Sequence, residues 1–213
     1  LYFATDPFLG VRPSSNYIFA VMACPVGPYY AAPVKVWVET EYTRAAPGGM
    51  GAVKTAGNYA AALFAGRQAQ EAGFSVVLWL DAIERKYVQE FSTMNAFFVF
   101  EDAIVTPELN DCILQGITRD TILRMLRKAG HNVQERPVSI EEVFEATRSG
   151  RLKEAFGAGT AAVVSPVASF TWNDETVHVP QGDSHSIGAK IKAELTALRT
   201  GNAPDANGWL TTL

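Results

Sequence analysis

The spacing of apolar residues changes several times along the chain, and each change marks an element. Residues 34–40, VKVWVET, alternate apolar and polar and read as a strand. NYIFAVMAC (16–24) and FSVVLWLD (74–81) are continuous apolar runs of strand length, as buried strands require. AFFVFEDAIVT (96–106), NVQERPV (132–138) and AAVVSPVASFTW (161–172) are further strands, with a short one around Tyr87–Glu90. Between them lie helical stretches. Residues 58–73 are rich in Ala and Leu, with Asn58 as the expected N-cap and Gly73 as the stop. Thr118 is expected to cap a helix that ends at Gly130. Ser139 and Glu142 have capping-box spacing before IEEVFEATRSG, and residues 186–201 form a last amphipathic helix. Residues 1–12 are irregular, and PVGPYYAAP (25–33) is a Pro/Gly-rich loop. Strands in runs with helices interspersed predict an α+β fold.

Composition narrows the class. A chain of 213 residues, 48% apolar and 19% charged, can bury a sizeable core and is not a disordered composition. The net charge of −4 gives no basic footprint for nucleic acid and no polybasic membrane segment. No apolar run reaches the length of a membrane span. Two cysteines, Cys24 and Cys112, lie far apart, which suits reduced thiols in a cytoplasmic protein better than a disulfide framework. His131, His178 and His185 share no metal-ligand spacing, so no metal site is expected.

Two glycine-rich motifs come close to known phosphate binders and fail on chemistry. GGMGAVKT (48–55) has Val53 where a P-loop needs glycine directly before the lysine, and the residues preceding it are turn-like. GAGTAA (157–162) has dinucleotide-fingerprint spacing, but a β-branched stretch follows instead of a helix. That turn still suits backbone N–H groups meeting an anion. No serine stands in G-x-S-x-G.

With Lys54 followed by TAGNY, five ordered segments resemble a branched-chain amino acid aminotransferase, a pyridoxal phosphate enzyme of fold type IV. They are FLGVRPSSNYIFAVMACPVGPYY, EYTRAAPGGMGAVKTAGNYAAALFAGRQAQEAG, VVLWLDAIERKYVQEFSTMNAFFVF, ITRDTIL and FGAGTAAVVSPV, and together they span the chain. The resemblance implies that Lys54 bonds the cofactor and acts as general base and acid. The small residues around it suggest a buried amine held neutral by desolvation, with room for a flat ring. Glu90 would pair with the ring nitrogen, and Tyr59 would hydrogen-bond the phenolic oxygen. Ile117, Thr118 and Thr160 would hold the phosphate, with Arg44 near it. Thr93, Ala161, Ala162 and Tyr29 would face the substrate.

The resemblance also implies a division of the chain: residues 1–24 as the end of a small domain, 25–33 as an interdomain loop, and 34–213 as the large cofactor domain. Most of the small domain, with a phosphate-binding arginine, would precede Leu1. The expected activity is amino-group exchange between leucine, isoleucine or valine and 2-oxoglutarate, by a homodimer. A D-amino acid aminotransferase, an aminodeoxychorismate lyase, or a catalytically silent binding protein of the same fold are the alternatives. Three positions depart from the family pattern: Ala56 and Ser92 replace glycines, and Gln115 replaces a proline. Ala162 and Ser165 stand where some relatives carry a C-x-x-C pair.

Overall fold

A computed structural model describes residues 1–25, 27 and 29–211, so Val26 and Pro28 of the expected loop, and the last two residues of the expected large domain, lie outside the described residues. The chain runs β1 (Tyr2–Ala4), β2 (Tyr17–Phe19), β3 (Val34–Glu39), α1 (Ala56–Glu71), β4 (Val76–Leu80), β5 (Val88–Phe91), β6 (Met94–Phe100) and β7 (Ile104–Thr106). It continues α2 (Ile117–Lys128), β8 (Val133–Glu135), α3 (Ile140–Arg148), β9 (Leu152–Gly159), β10 (Val163–Trp172), β11 (Glu175–His178) and α4 (Ile187–Arg199).

Nine strands form one mixed sheet, and six of them close on themselves. β3, β4, β5 and β6 are neighbours in turn; β9 joins β6 to β10, and β10 returns to β3. Every residue of β4, β5 and β6 is buried, because the sheet is covered on both faces. The two-residue side-chain period sorts the layers. Val36, Val38, Val76, Leu78, Leu80, Ala96 and Phe98 share one cluster with Phe91, Phe170 and the α3 residues Val143 and Phe144. Val77 and Trp79, one step out of phase in β4, pack against Ala65 and Ala69 of α1. Phe97, Val99, Phe156 and Val164 meet α2 and α4 through Ile122, Leu126, Ile191 and Leu195.

The α+β expectation holds, and several local expectations are corrected. Residues 16–24 are not a continuous buried strand. Only Tyr17–Phe19 is extended; it pairs with Tyr2–Ala4 in a two-stranded ribbon apart from the main sheet, and all three of its residues are exposed. Thr55, not Asn58, is the N-cap of α1, and Gly116, not Thr118, that of α2. The capping box is half formed: the Ser139 hydroxyl accepts the Glu142 N–H, but the Glu142 carboxylate turns to Arg136. Residues 96–106 are two strands, β6 and β7, paired antiparallel about a turn. β1, within residues read as irregular, and β9 and β11 were not expected. β11 follows a two-residue hairpin at Asn173–Asp174, both in the left-handed region, where Asn and Asp are tolerated best after glycine.

Phe144 is fully buried in the inward cluster and meets Trp172 edge-on at 5.4 Å. Phe144→Ala should therefore cost about 3–5 kcal/mol of unfolding free energy, read by urea denaturation.

Candidate active site

The site forms where four short segments meet beside the closed sheet: the loop before α1, the β5–β6 hairpin, the loop before α2, and the β9–β10 turn. They line a cleft that opens to solvent. Of the residues singled out in the sequence, Lys54, Tyr59, Glu90, Ile117, Thr118, Thr160, Arg44 and Thr93 line it. Ala161 and Ala162 follow Thr160 in the turn, outside the lining. Tyr29 is not brought to the cleft; it is 57% exposed and stacks edge-on against Tyr30.

Glu90 is the electrostatic centre. It sits on β5 and is 3% exposed. Its Oε1 accepts the Leu114 N–H at 3.1 Å and an Asn95 side-chain N–H at 3.2 Å. Its Oε2 lies 2.9 Å from Nη2 of Arg44, whose side chain is also buried. Burial nevertheless pushes the Glu90 carboxyl up to about 7, against the opposing pull of the Arg44 charge, the Leu114 N–H and the Lys54 charge. Arg44, expected beside a phosphate, has its guanidinium engaged by Glu90 and by the carbonyls of Gly51 and Cys112.

That engagement also fixes the loop leading to Lys54. Ala52 N–H donates to the Asp111 carbonyl at 2.9 Å, and Gly48 N–H to the Asp111 carboxylate at 2.5 Å. A Cβ at Gly51 would press to 2.6 Å on the Cys112 backbone, so only glycine allows the two loops to lie this close. Asn58 closes the loop from the other side, donating to the carbonyls of Met50 at 2.7 Å and Val53 at 2.8 Å. Lys54 itself corrects the sequence argument. It lines the cleft but is exposed, with Nζ 5.5 Å from the Tyr59 ring centroid. Its small neighbours leave it open rather than burying it. Tyr59 is 41% exposed.

The helix α2 begins at the cleft. Its N-cap, Gly116, makes no side-chain cap bond, so the first-turn N–H groups, including those of Ile117 and Thr118, have no intrahelical acceptor. Such an end favours an anion. A Cβ at Gly116 would overlap the amide oxygen of Asn95, so glycine here lets the Asn95 side chain reach both Glu90 and the Leu114 carbonyl. The β9–β10 turn, Thr160–Ala162, ends in Val163 with φ of 56°, a left-handed conformation that is uncommon for a β-branched residue. GAGTAA is thus a strand end and a hairpin, in line with its rejection as a dinucleotide motif.

Sequence reasoning missed Asn95, read Asn58 only as a helix cap, and missed Arg199, whose Nη2 donates to the Thr118 hydroxyl oxygen at 3.4 Å. The first had a signal, a lone amide in the apolar run MNAFFVF; the second precedes Tyr59 directly. Arg199 had none. Of the departures from the family pattern, Ser92 has a physical account. It occupies the first central position of a two-residue hairpin with φ of 48°, where glycine is easiest, and its hydroxyl accepts the Val77 N–H at 3.0 Å. The three histidines are exposed, and among the described residues no three His, Cys, Asp or Glu side chains cluster as metal ligands.

Residues 2–170 match the family model described as amino-transferase class IV, and the chain belongs to that family. Branched-chain-amino-acid aminotransferase 2 of Bacillus subtilis (strain 168) is 48% identical over 211 residues, 98% of this chain and 58% of that protein. The branched-chain-amino-acid aminotransferase of Mycolicibacterium smegmatis is 43% identical over 217 residues, 99% of this chain and 59% of that protein. The chain thus spans under three-fifths of the length of these two curated relatives. The crystal structure of the branched-chain amino acid aminotransferase of Escherichia coli superposes with a TM-score of 0.82 at 30% identity, over 99% of this chain and 68% of that one. That likeness carries the fold type IV expectation. A pyridoxal phosphate holo-form of the Thermobaculum terrenum enzyme gives a TM-score of 0.70 at 25% identity, over 84% of this chain and 55% of that one.

Because Glu90 binds its proton more tightly folded than unfolded, its contribution favours folding at acid pH and is lost as pH rises from about 4.5 through about 7. The stability difference between Glu90→Gln and the parent should therefore grow in favour of the variant by on the order of 3 kcal/mol across that window. Urea denaturation at several pH values measures it, and a pH-independent difference would contradict the burial argument.

Proposed function

We propose that the protein holds pyridoxal 5′-phosphate in this cleft and moves amino groups between branched-chain amino acids and 2-oxoglutarate. The observation that carries the reading is the donor set. A buried carboxylate, an accessible lysine whose charge reaches it, and an open helix N-terminus line one cleft. These are the three groups that a cationic ring nitrogen, an aldehyde and a phosphate require, so the residues fit the cofactor. The names of the relatives favour branched-chain substrates over D-amino acids or aminodeoxychorismate.

When bound, the cofactor supplies an electron sink for the carbon that loses its proton. The chain supplies the rest. Lys54 would take the proton from the substrate α-carbon and give it up again, acting as base and then as acid. Glu90 holds a proton on the ring nitrogen, with Arg44 and Asn95 keeping its two oxygens in place. Tyr59 donates to the phenolic oxygen. The first-turn N–H groups at Ile117 and Thr118, and the Thr160 hydroxyl, bind the phosphate. The N–H groups of Ala161 and Ala162 orient the substrate carboxylate, and Thr93 lies beside it. Tyr29, outside the lining, has no part in this reading.

We further propose a homodimer in a reducing, cytoplasmic setting. The exposed apolar residues Leu63 and Phe64 on α1 and the two free cysteines support it. Among the described residues no helix is long and apolar enough to cross a membrane.

The test is a coupled assay of the complete protein with leucine and 2-oxoglutarate, run in parallel with D-alanine. Turnover of leucine alone is expected, and turnover of D-alanine alone would refute the substrate class. Borohydride reduction followed by peptide mapping should place the phosphopyridoxyl group on Lys54. Glu90→Gln should keep its cofactor yet lose turnover about a hundredfold or more, since an amide cannot hold the ring proton and the missing charge is worth a few kcal/mol in a dry site.

A further inference from the structure

Two turns expected to hold the anion come from distant parts of the chain, and a third element ties them together. Thr118 stands in the first turn of α2 and is 4% exposed; Thr160 opens the β9–β10 turn. At the far end of α4, Arg199 donates from Nη2 to the Thr118 hydroxyl oxygen and from Nη1 to the Thr160 carbonyl, each at 3.4 Å. We propose that Arg199 is the positioning residue of the phosphomonoester corner of the cleft, supplying its cationic charge and orienting the Thr118 hydroxyl. The inference rests on the cofactor reading above and extends it to a residue which that reading does not use.

Three physical points carry it. First, a hydroxyl has one proton and two acceptor positions. An arginine N–H on one acceptor position turns that proton away from the guanidinium, and among the described residues nothing else bonds this oxygen. The proton is left for a ligand, and Thr118 lines the cleft. Second, in a trans peptide the C=O and the next N–H point in opposite directions. Holding the Thr160 carbonyl therefore turns the Ala161 N–H away from Arg199. Third, the charge is unbalanced. Among the described residues Arg199 makes no salt bridge with a carboxylate, and it approaches a helix N-terminus that already carries partial positive charge and no side-chain cap. Two like charges gathered without an acid leave a place for a dianion.

Both contacts are at the long end of hydrogen bonding, and Arg199 is exposed at the end of its helix, so the fold draws little stability from it. A role in packing and a role in binding phosphate can thus be separated. The experiment compares the complete parent protein with Arg199→Met and Arg199→Lys, titrating each with pyridoxal phosphate and with pyridoxal, which lacks the phosphate. Arg199→Met should raise the Kd for the phosphate form about tenfold and leave that for pyridoxal unchanged. Arg199→Lys should recover part of the loss, and added salt should weaken the parent more than the Met variant. Equal weakening of both ligands would reveal a merely structural residue and overturn the inference, as would an unchanged Kd for the phosphate form. A parent that binds neither ligand would refute the cofactor reading itself, and this inference with it.

Discussion

A carboxylate hidden from water needs partners, and the arrangement of the cleft follows from supplying them to Glu90. Arg44 brings the compensating charge, and to do so its loop must lie against the backbone of Cys112. Asn95 and the Leu114 N–H take the other oxygen, so the loop before α2 is bound to the β5–β6 hairpin. Removing one partner of such a group is costly, because the remaining charge stays buried. The positions of Lys54 and of the α2 N-terminus are therefore consequences of one desolvated acid. Gly51 and Gly116 are the two places where this tightness excludes a side chain.

The closed sheet makes that hidden position available. Six strands in a ring leave no free edge along their paired lengths, and the residues of β4, β5 and β6 face protein on both sides. Loops at the rim can then carry chemistry without contributing to the core. α1 shows the same division: Ala65 and Ala69 face Val77 and Trp79, while most of its other side chains remain exposed.

The strands with continuous or alternating apolar patterns, β3, β4 and β6, were legible in the sequence, because burial on both faces demands that pattern. β9 was not. LKEAFGAG lacks the β-branched run of a strand, and its Gly157 lies close to the Met94 side chain, which an added Cβ would meet within 3 Å. The run at 16–24 misled for the opposite reason, since apolar residues predict a cover that the described residues do not supply. At the site, Glu90 and Lys54 were legible only through the family resemblance, because a lone acid or lysine has no local signature. The exposure of Lys54, and the bond from Arg199 to Thr118 across 81 positions, are tertiary facts that no short window contains.

The ribbon of β1 and β2 bears on the surface that this chain offers to other protein. Each of its strands is three residues long, and its aromatic and aliphatic side chains face solvent, with Tyr2 and Tyr17 stacked at 5.0 Å. Along residues 1–24 the only acid is Asp6 and the only basic side chain is Arg12. Natural sheets guard open edges with lysine, proline or a covering loop. Here little charge guards the ribbon, so its apolar side chains form a surface suited to burial against protein.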